Sequence, residues 1–310
     1  MPDIKGDFFN KKFYLANVFE APILNTTSTI TMKNRCLFSL VWLLVSINSI
    51  CAEGTWLPRA DLPEVVGGQW EYKQTGNLLF TFNDNVEASE RSRLMDSTRT
   101  YIEACLSMLH ETTLSDTVDI MIVRNREDMR KLGLPYSGYT FTNPIIEGLP
   151  RKTVLCVGGL RNPLKHEVMH LVSRCKWGPS KNEHLMTWLE EGLATFADPE
   201  AECDTLSFEE KYRFILQNGK AVDADALLHH FMEQQTPKIC YIQSAYIVGY
   251  LIDKHGIDTL RKLWVGGIEV FQELYGMNLN SLVQQVEGQL MQSSQPAVSL
   301  DWNDFVRPCY

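Results

Sequence analysis

Asn162-Pro163-Leu164-Lys165-His166-Glu167-Val168-Met169-His170 is the stretch around which the rest of the chain is organised. Asn162 followed by Pro163 reads as an N-cap with proline at the first helical position, where the missing N–H would have had no intrahelical partner anyway. The pattern predicts a helix from there to about Cys175, stopped by Gly178-Pro179. Everything before this helix mixes strands with helices, and everything after it is helical.

Upstream, Trp70 to Phe82 (WEYKQTGNLLFTF) alternates apolar and polar residues on either side of Thr75-Gly76-Asn77, the signature of a hairpin. From Val86 to about Glu111, Leu94, Ile102, Cys105, Leu106 and Leu109 recur at helical spacing. Thr117 to Val123 reads as a strand and Arg126 to Leu132 as a short helix closed by Gly133. A Gly/Pro-rich loop from Tyr136 to Pro150 then leads into a strand over Lys152 to Val157.

Downstream, Ser180 with Glu183 forms a capping-box pattern that predicts a helix ending by Asp198-Pro199, and Ser207 with Glu210 repeats the box. Further helices are expected over about Asp223 to Gln235, Cys240 to His255, and Asn280 to Gln292. A strand-and-helix part over residues 53–160, then a helical part over 161–310, with no βαβ alternation, predicts an α+β fold.

The chain's 310 residues suffice for one large domain or two modest ones. Net charge is -9, while the leader before Glu53 carries five basic against three acidic residues, so the body is more acidic still. An acidic body with no Lys/Arg cluster excludes nucleic acid as the expected partner, since phosphate backbones need a basic stripe.

Lys33 and Arg35 precede an apolar run from Cys36 to Ile50, with small residues at Ser49, Cys51 and Ala52. Basic flank, apolar stretch and small-residue exit make residues 32–52 a signal peptide, which predicts a secreted, periplasmic or cell-envelope protein. The run falls short of the roughly 20 residues of a membrane span, so membrane attachment is expected only if the segment stays uncleaved. Residues 1–31 fit no part of such a signal; they read as an extension, with translation expected to start at Met32. Beyond the leader, Cys105, Cys156, Cys175, Cys203, Cys240 and Cys309 could form up to three disulfides in an exported chain.

His166-Glu167-Val168-Met169-His170 matches the H-E-x-x-H zinc pattern. At about 100° per residue, positions 166 and 170 lie within about 40° of one another, one turn apart, so both imidazoles can reach one ion. Glu167 sits beside that face, placed to touch a metal-bound water. The division suits hydrolysis: Zn2+ acidifies its water and a carboxylate takes the proton. A third protein ligand is still required. The next helix carries Trp188-Leu189-Glu190-Glu191-Gly192-Leu193-Ala194, and its two adjacent glutamates are both candidates.

On these motifs the chain resembles the gluzincin zinc metallopeptidases, and more narrowly the aminopeptidase N group and the bacterial peptidases that share its catalytic core. The resemblance covers about Lys152 to Gly256 and implies a thermolysin-like zincin catalytic domain acting on a peptide or protein substrate. In that group the third ligand lies in W-x-x-E-G-x-A, which selects Glu191 over Glu190. An acid seven positions on supports a zinc-bound histidine, which points to Asp198, an aspartate where the group has glutamate. A tyrosine followed by x-K-G stabilises the oxyanion, which points to Tyr241, with Gln243 and Ser244 in place of the lysine and glycine. The group's glycine-methionine-glutamate-asparagine motif, which grips a free amino terminus, is absent from Lys152 to Arg161. The resemblance therefore implies a metallopeptidase without aminopeptidase specificity, in which strand 152–157 could serve as the edge that pairs with an extended peptide.

Other histidines and cysteines carry less. His229-His230 diverge on a helix and read as surface. His184 is a candidate hydrogen-bonding group near the site, Cys175 lies on the far face of the motif helix, and Cys240 could brace Tyr241 through a disulfide. Two readings compete with the peptidase: a catalytically silent zinc-binding module that recognises a peptide or wall component, and a processing factor for a single partner protein.

Overall fold

The computed structural model describes residues 62–141, 145–146, 149–150, 152–159, 161–199, 205–295 and 298–307. The signal segment, Met32, Cys203 and Cys309 lie outside the described residues.

The predicted hairpin is present as β1 (Trp70–Thr75) paired antiparallel with β2 (Leu78–Asn83). A single turn of helix, α1 (Leu62–Val65), precedes β1, and helix α2 (Ala88–Met108) carries the chain from β2 across to β3 (Val118–Val123). β3 runs parallel to β2, so β2-α2-β3 is a βαβ unit, contrary to the expectation that none would occur. Parallel neighbours cannot be joined by a tight turn, and the long helix supplies the crossover. β3 is buried along its whole length, as its apolar run VDIMIV requires of a central strand covered on both faces.

After α3 (Arg126–Lys131), capped by the Asn125 side chain, the segment read as a loop forms strand β4 (Gly138–Phe141). A two-residue hairpin, β5 (Ile145–Ile146) with β6 (Leu149–Pro150), precedes β7 (Lys152–Val157), found at its predicted bounds. The five-stranded sheet has the order β1-β2-β3-β7-β4, with β7 parallel to β3 and antiparallel to β4. Lys152 to Val157 is therefore an inner strand, and the expectation that it would form a peptide-pairing edge is overturned. Backbone pairing from β4 occupies that side, and β4 stands at the end of the sheet.

Past the sheet come α4 (Leu164–Trp177), α5 (Glu183–Ala197), α6 (Phe208–Gln217), α7 (Ala224–His229), α8 (Pro237–His255), α9 (Ile257–Gly266), α10 (Phe271–Tyr275), α11 (Leu279–Gln292) and α12 (Trp302–Phe305). The chain is α+β. Its main core lies between one face of the sheet (Phe80, Ile120, Ile122, Val154, Cys156) and the helices, with Trp188, Tyr212 and Trp264 among the largest buried side chains. The opposite face carries a smaller cluster around Met121, Val123, Met129 and Leu155.

Several helix bounds differ from expectation: α2 begins at Ala88, two residues past Val86, and the helix expected over about Asp223 to Gln235 ends at His229. α4 begins at Leu164 with Pro163 at the cap, although the Asn162 side chain still accepts a hydrogen bond from the Leu164 N–H at 3.1 Å. α5 begins only at Glu183, after Asn182 in a left-handed conformation (φ 56°), so Ser180 lies too far upstream to cap it. α8 begins at Pro237, three residues before Cys240, because proline at the first position lends itself to a helix start. The Ser207–Glu210 capping box is present on α6 with both reciprocal bonds. Cys105, Cys156, Cys175 and Cys240 are all free thiols, so the expected disulfides, including one at Cys240, are not made by these four. Three of them are buried in apolar surroundings, where a thiol packs as a small hydrophobe.

Candidate metal centre

The turn between β7 and α4 is held by the long helix that crosses the sheet. The Gly159 N–H donates to the Glu90 carboxylate on α2, the Arg93 guanidinium donates to Gly159 O at 2.8 Å, and the Asn162 amide donates to the same carbonyl at 2.8 Å. α4 thus leaves the sheet at a fixed angle and lies against α5 along its buried face.

His166 and His170, one turn apart on α4, face Glu191 on α5. His166 Nε2 lies 3.1 Å from Glu191 Oε2, His170 Nε2 3.3 Å from the same oxygen, and the two Nε2 atoms are 3.1 Å apart. The donor set is a nearly equilateral triangle. One proton can serve only one edge of that triangle, whereas a cation among the three atoms serves all of them. Bonds of about 2.0–2.1 Å in tetrahedral geometry put neighbouring ligand atoms about 3.3 Å apart, which the observed edges match. His166, His170 and Glu191 form a group that could hold a metal ion.

Burial opposes the charged form of the His166 imidazole, but the Glu191 carboxylate on its Nε2, with the Glu167 and Asp198 charges behind it, outweighs burial and lifts its pKa to about 9. For Glu191, burial works against ionisation and is overcome by the His170 and His166 charges and hydrogen bonds, which hold the carboxyl far below its ordinary range. The metal-free triangle is an ion-paired cluster, so metal binding must displace a proton.

Glu190 is directed elsewhere. It is buried, accepts a 2.6 Å hydrogen bond from the Arg174 guanidinium and another from the Ser180 hydroxyl. A step of about 100° between consecutive residues sends one carboxylate to the histidines and the other to Arg174. The Ser180 hydroxyl, which the capping pattern assigned to a helix start, belongs to this network.

Glu167 is 6% exposed and points towards β4. Thr140 Oγ1 lies 2.8 Å from Glu167 Oε2 and 2.8 Å from the Glu167 carbonyl oxygen. Burial pushes the Glu167 pKa up, against the pull of the His166 and His170 charges and the Thr140 hydroxyl.

Asp198 Oδ2 accepts a hydrogen bond from the His166 backbone N–H at 3.2 Å, a contact with the main chain of the motif helix. The Tyr241 ring lies 6.1 Å from the His166 ring, and its hydroxyl donates to Met232 Sδ at 3.8 Å. His184 is exposed on the first turn of α5, about two turns or 10 Å along the helix from Glu191. His229 and His230 are exposed beside Asp225 and Glu233. Cys175, half-buried, stands apart from the metal-binding group.

Sequence reasoning missed β4 and what it brings. Gly138 and Thr140 touch Glu167, while Tyr136, 45% exposed, has its pKa raised by burial and by the Glu191 charge. The alternation Gly138-Tyr139-Thr140-Phe141 was the available signal, masked by the surrounding glycines and prolines. No protein-family model matches the chain and no curated protein matches it, so the functional reading rests on the site itself.

Proposed function

We propose that the chain is a zinc-dependent peptidase of the gluzincin type, with a thermolysin-like catalytic domain, acting outside the cytoplasm. The observation that carries this reading is the convergence of His166, His170 and Glu191 on one point, with the Glu167 carboxylate buried one residue along the same helix. Two imidazoles and a carboxylate form a catalytic zinc ligand set that leaves a coordination position open. A zinc ion held there supplies Lewis acidity and a water acidified to a pKa near 7. Glu167 takes the proton of the attacking water and returns it to the leaving amine. Tyr241 donates its phenol to the developing oxyanion after its hydroxyl leaves Met232. Asp198 keeps the His166 turn in place. An extended peptide pairs with β4, the outer strand beside Glu167, and export rests on the pattern of residues 32–52.

Metal analysis of the chain from Glu53 onward, combined with hydrolysis of a peptide library, tests the reading. About one zinc per chain is expected, and Glu167→Gln should retain it while losing at least a hundredfold in kcat. A parent chain without zinc, or a Glu167→Gln variant as active as the parent, would sink it.

A further inference from the structure

β4 contributes two atoms' worth of contact to the Glu167 carboxylate, one on each oxygen. On one side the Thr140 hydroxyl is 2.8 Å from Oε2. On the other, Gly138 packs its bare Cα against Oε1: a Cβ at that position would come within 2.5 Å of Oε1, 2.7 Å of Cγ and 2.9 Å of Cδ. Any residue other than glycine would have to push the carboxylate aside. The register fixes both contacts to one face, because Gly138 pairs with Cys156 and Thr140 with Val154, and both partners lie on the side of the sheet that packs under the helices. The start of β4 is itself pinned. The Val157 N–H donates to Ser137 O at 2.9 Å, and the Arg126 Nε donates to Ser137 Oγ at 2.7 Å.

A glutamate side chain has three rotatable bonds, and a base must lie within hydrogen-bond reach of the proton it abstracts. We infer that β4 is a clamp that sets the Glu167 rotamer, with Thr140 as the positioning residue and Gly138 as the position that must lack a side chain. The inference rests on the peptidase reading only for the use made of the clamped carboxylate; the clamp itself is a property of the folded chain. It also explains why the strand beside the motif helix runs Gly-Tyr-Thr-Phe: Gly138 and Thr140 face the carboxylate, while Tyr139 and Phe141 pack on the opposite face.

The Thr140 hydroxyl carries one hydrogen and has two acceptors at equal distance, the Glu167 carboxylate and the Glu167 carbonyl. A stability cycle separates them. Thr140→Val, Glu167→Ala and the double variant are unfolded thermally without metal. The clamp predicts that Thr140→Val lowers Tm by several degrees in the parent and by no more than half as much in Glu167→Ala, since the carboxylate has gone and the carbonyl remains. In the zinc-loaded chain, kcat on the peptide library should fall about tenfold or more in Thr140→Val and in Gly138→Ala, with KM and zinc content unchanged, and Thr140→Ser should recover to within about threefold. An equal Tm loss in both backgrounds assigns the hydroxyl to the carbonyl and overturns the clamp, as does an unchanged kcat in Thr140→Val. A parent that binds zinc and hydrolyses nothing defeats the peptidase reading and leaves the clamp to the stability cycle.

Discussion

Glu190 and Glu191 are adjacent, chemically identical, and put to different uses. Glu191 completes the triangle with His166 and His170, while Glu190 neutralises Arg174 in the helix interface. The two substitutions should therefore separate. Glu191→Ala is expected to abolish metal binding with the fold retained; Glu190→Ala should keep its metal and lose about 3 kcal/mol of stability, because Arg174 is left without its buried partner. Metal content and urea unfolding on the same two proteins check this, and metal loss in Glu190→Ala would reverse the assignment. The paired histidines and Glu167 were legible from spacing alone, since 3.6 residues per turn dictates what shares a face. The choice between neighbouring glutamates was not, because it depends on which way α5 faces α4.

At the scale of elements, the helix following the motif owes its position to one glycine. A Cβ on Gly192 would meet Ser244 O at 2.8 Å and Ser244 C at 2.9 Å, backbone atoms of α8 that cannot move aside. Gly192→Ala should force α5 and α8 apart and cost about 1–3 kcal/mol, with weakened zinc retention because Glu191 moves with its helix. Calorimetry and zinc competition read the two effects, and a variant as stable as the parent would show that the contact is dispensable. Strands with strong patterns, β1, β2, β3 and β7, could be read directly. β4 could not: its four residues are stabilised by pairing with β7, a non-local gain that short-range propensity does not register. The misplaced start of α5 has a related cause, since Ser180 trades a local cap for a buried carboxylate on Glu190.

For the whole molecule, the metal-free and metal-loaded proteins should differ in their response to base: the first loses stability and the second does not. The His166 pKa is raised from 6.5 to about 9, so its pairing with Glu191 contributes stability fully below pH 6.5 and loses it as pH rises towards 9. The pKa of Glu191 is depressed, so its share is present above the ordinary carboxylate range and lost as pH falls into acid. Stability of the metal-free chain is expected to decline between pH 6.5 and 9 by up to roughly 3 kcal/mol, read as a falling Tm. With zinc bound, His166 is already neutral and the decline should vanish; zinc removal by a chelator at pH 8 should then cost RT ln(1 + [Zn]/Kd) of stability, about 4 kcal/mol for a site saturated a thousandfold, and lower Tm accordingly. Scanning calorimetry across that window, with and without metal, is decisive: an identical pH dependence in both states would mean that the triangle does not bind the ion. Among the described residues, no helix is long and apolar enough to cross a membrane.

What the amino-acid order alone determined is local and periodic: the helix that puts two imidazoles one turn apart, the acid beside them, the hairpin, the strands over Val118–Val123 and Lys152–Val157, and the α+β class. These follow from bond geometry and hydrophobic period, which act within about twenty residues. What only the tertiary structure decided is where distant segments meet: that β2 and β3 run parallel, that β4 covers β7 and grips Glu167, that Glu191 and not Glu190 faces the histidines, and that four cysteines remain free thiols. Each depends on packing between elements far apart in the chain. The free energy of such contacts belongs to the assembled core, and no short window of sequence contains it.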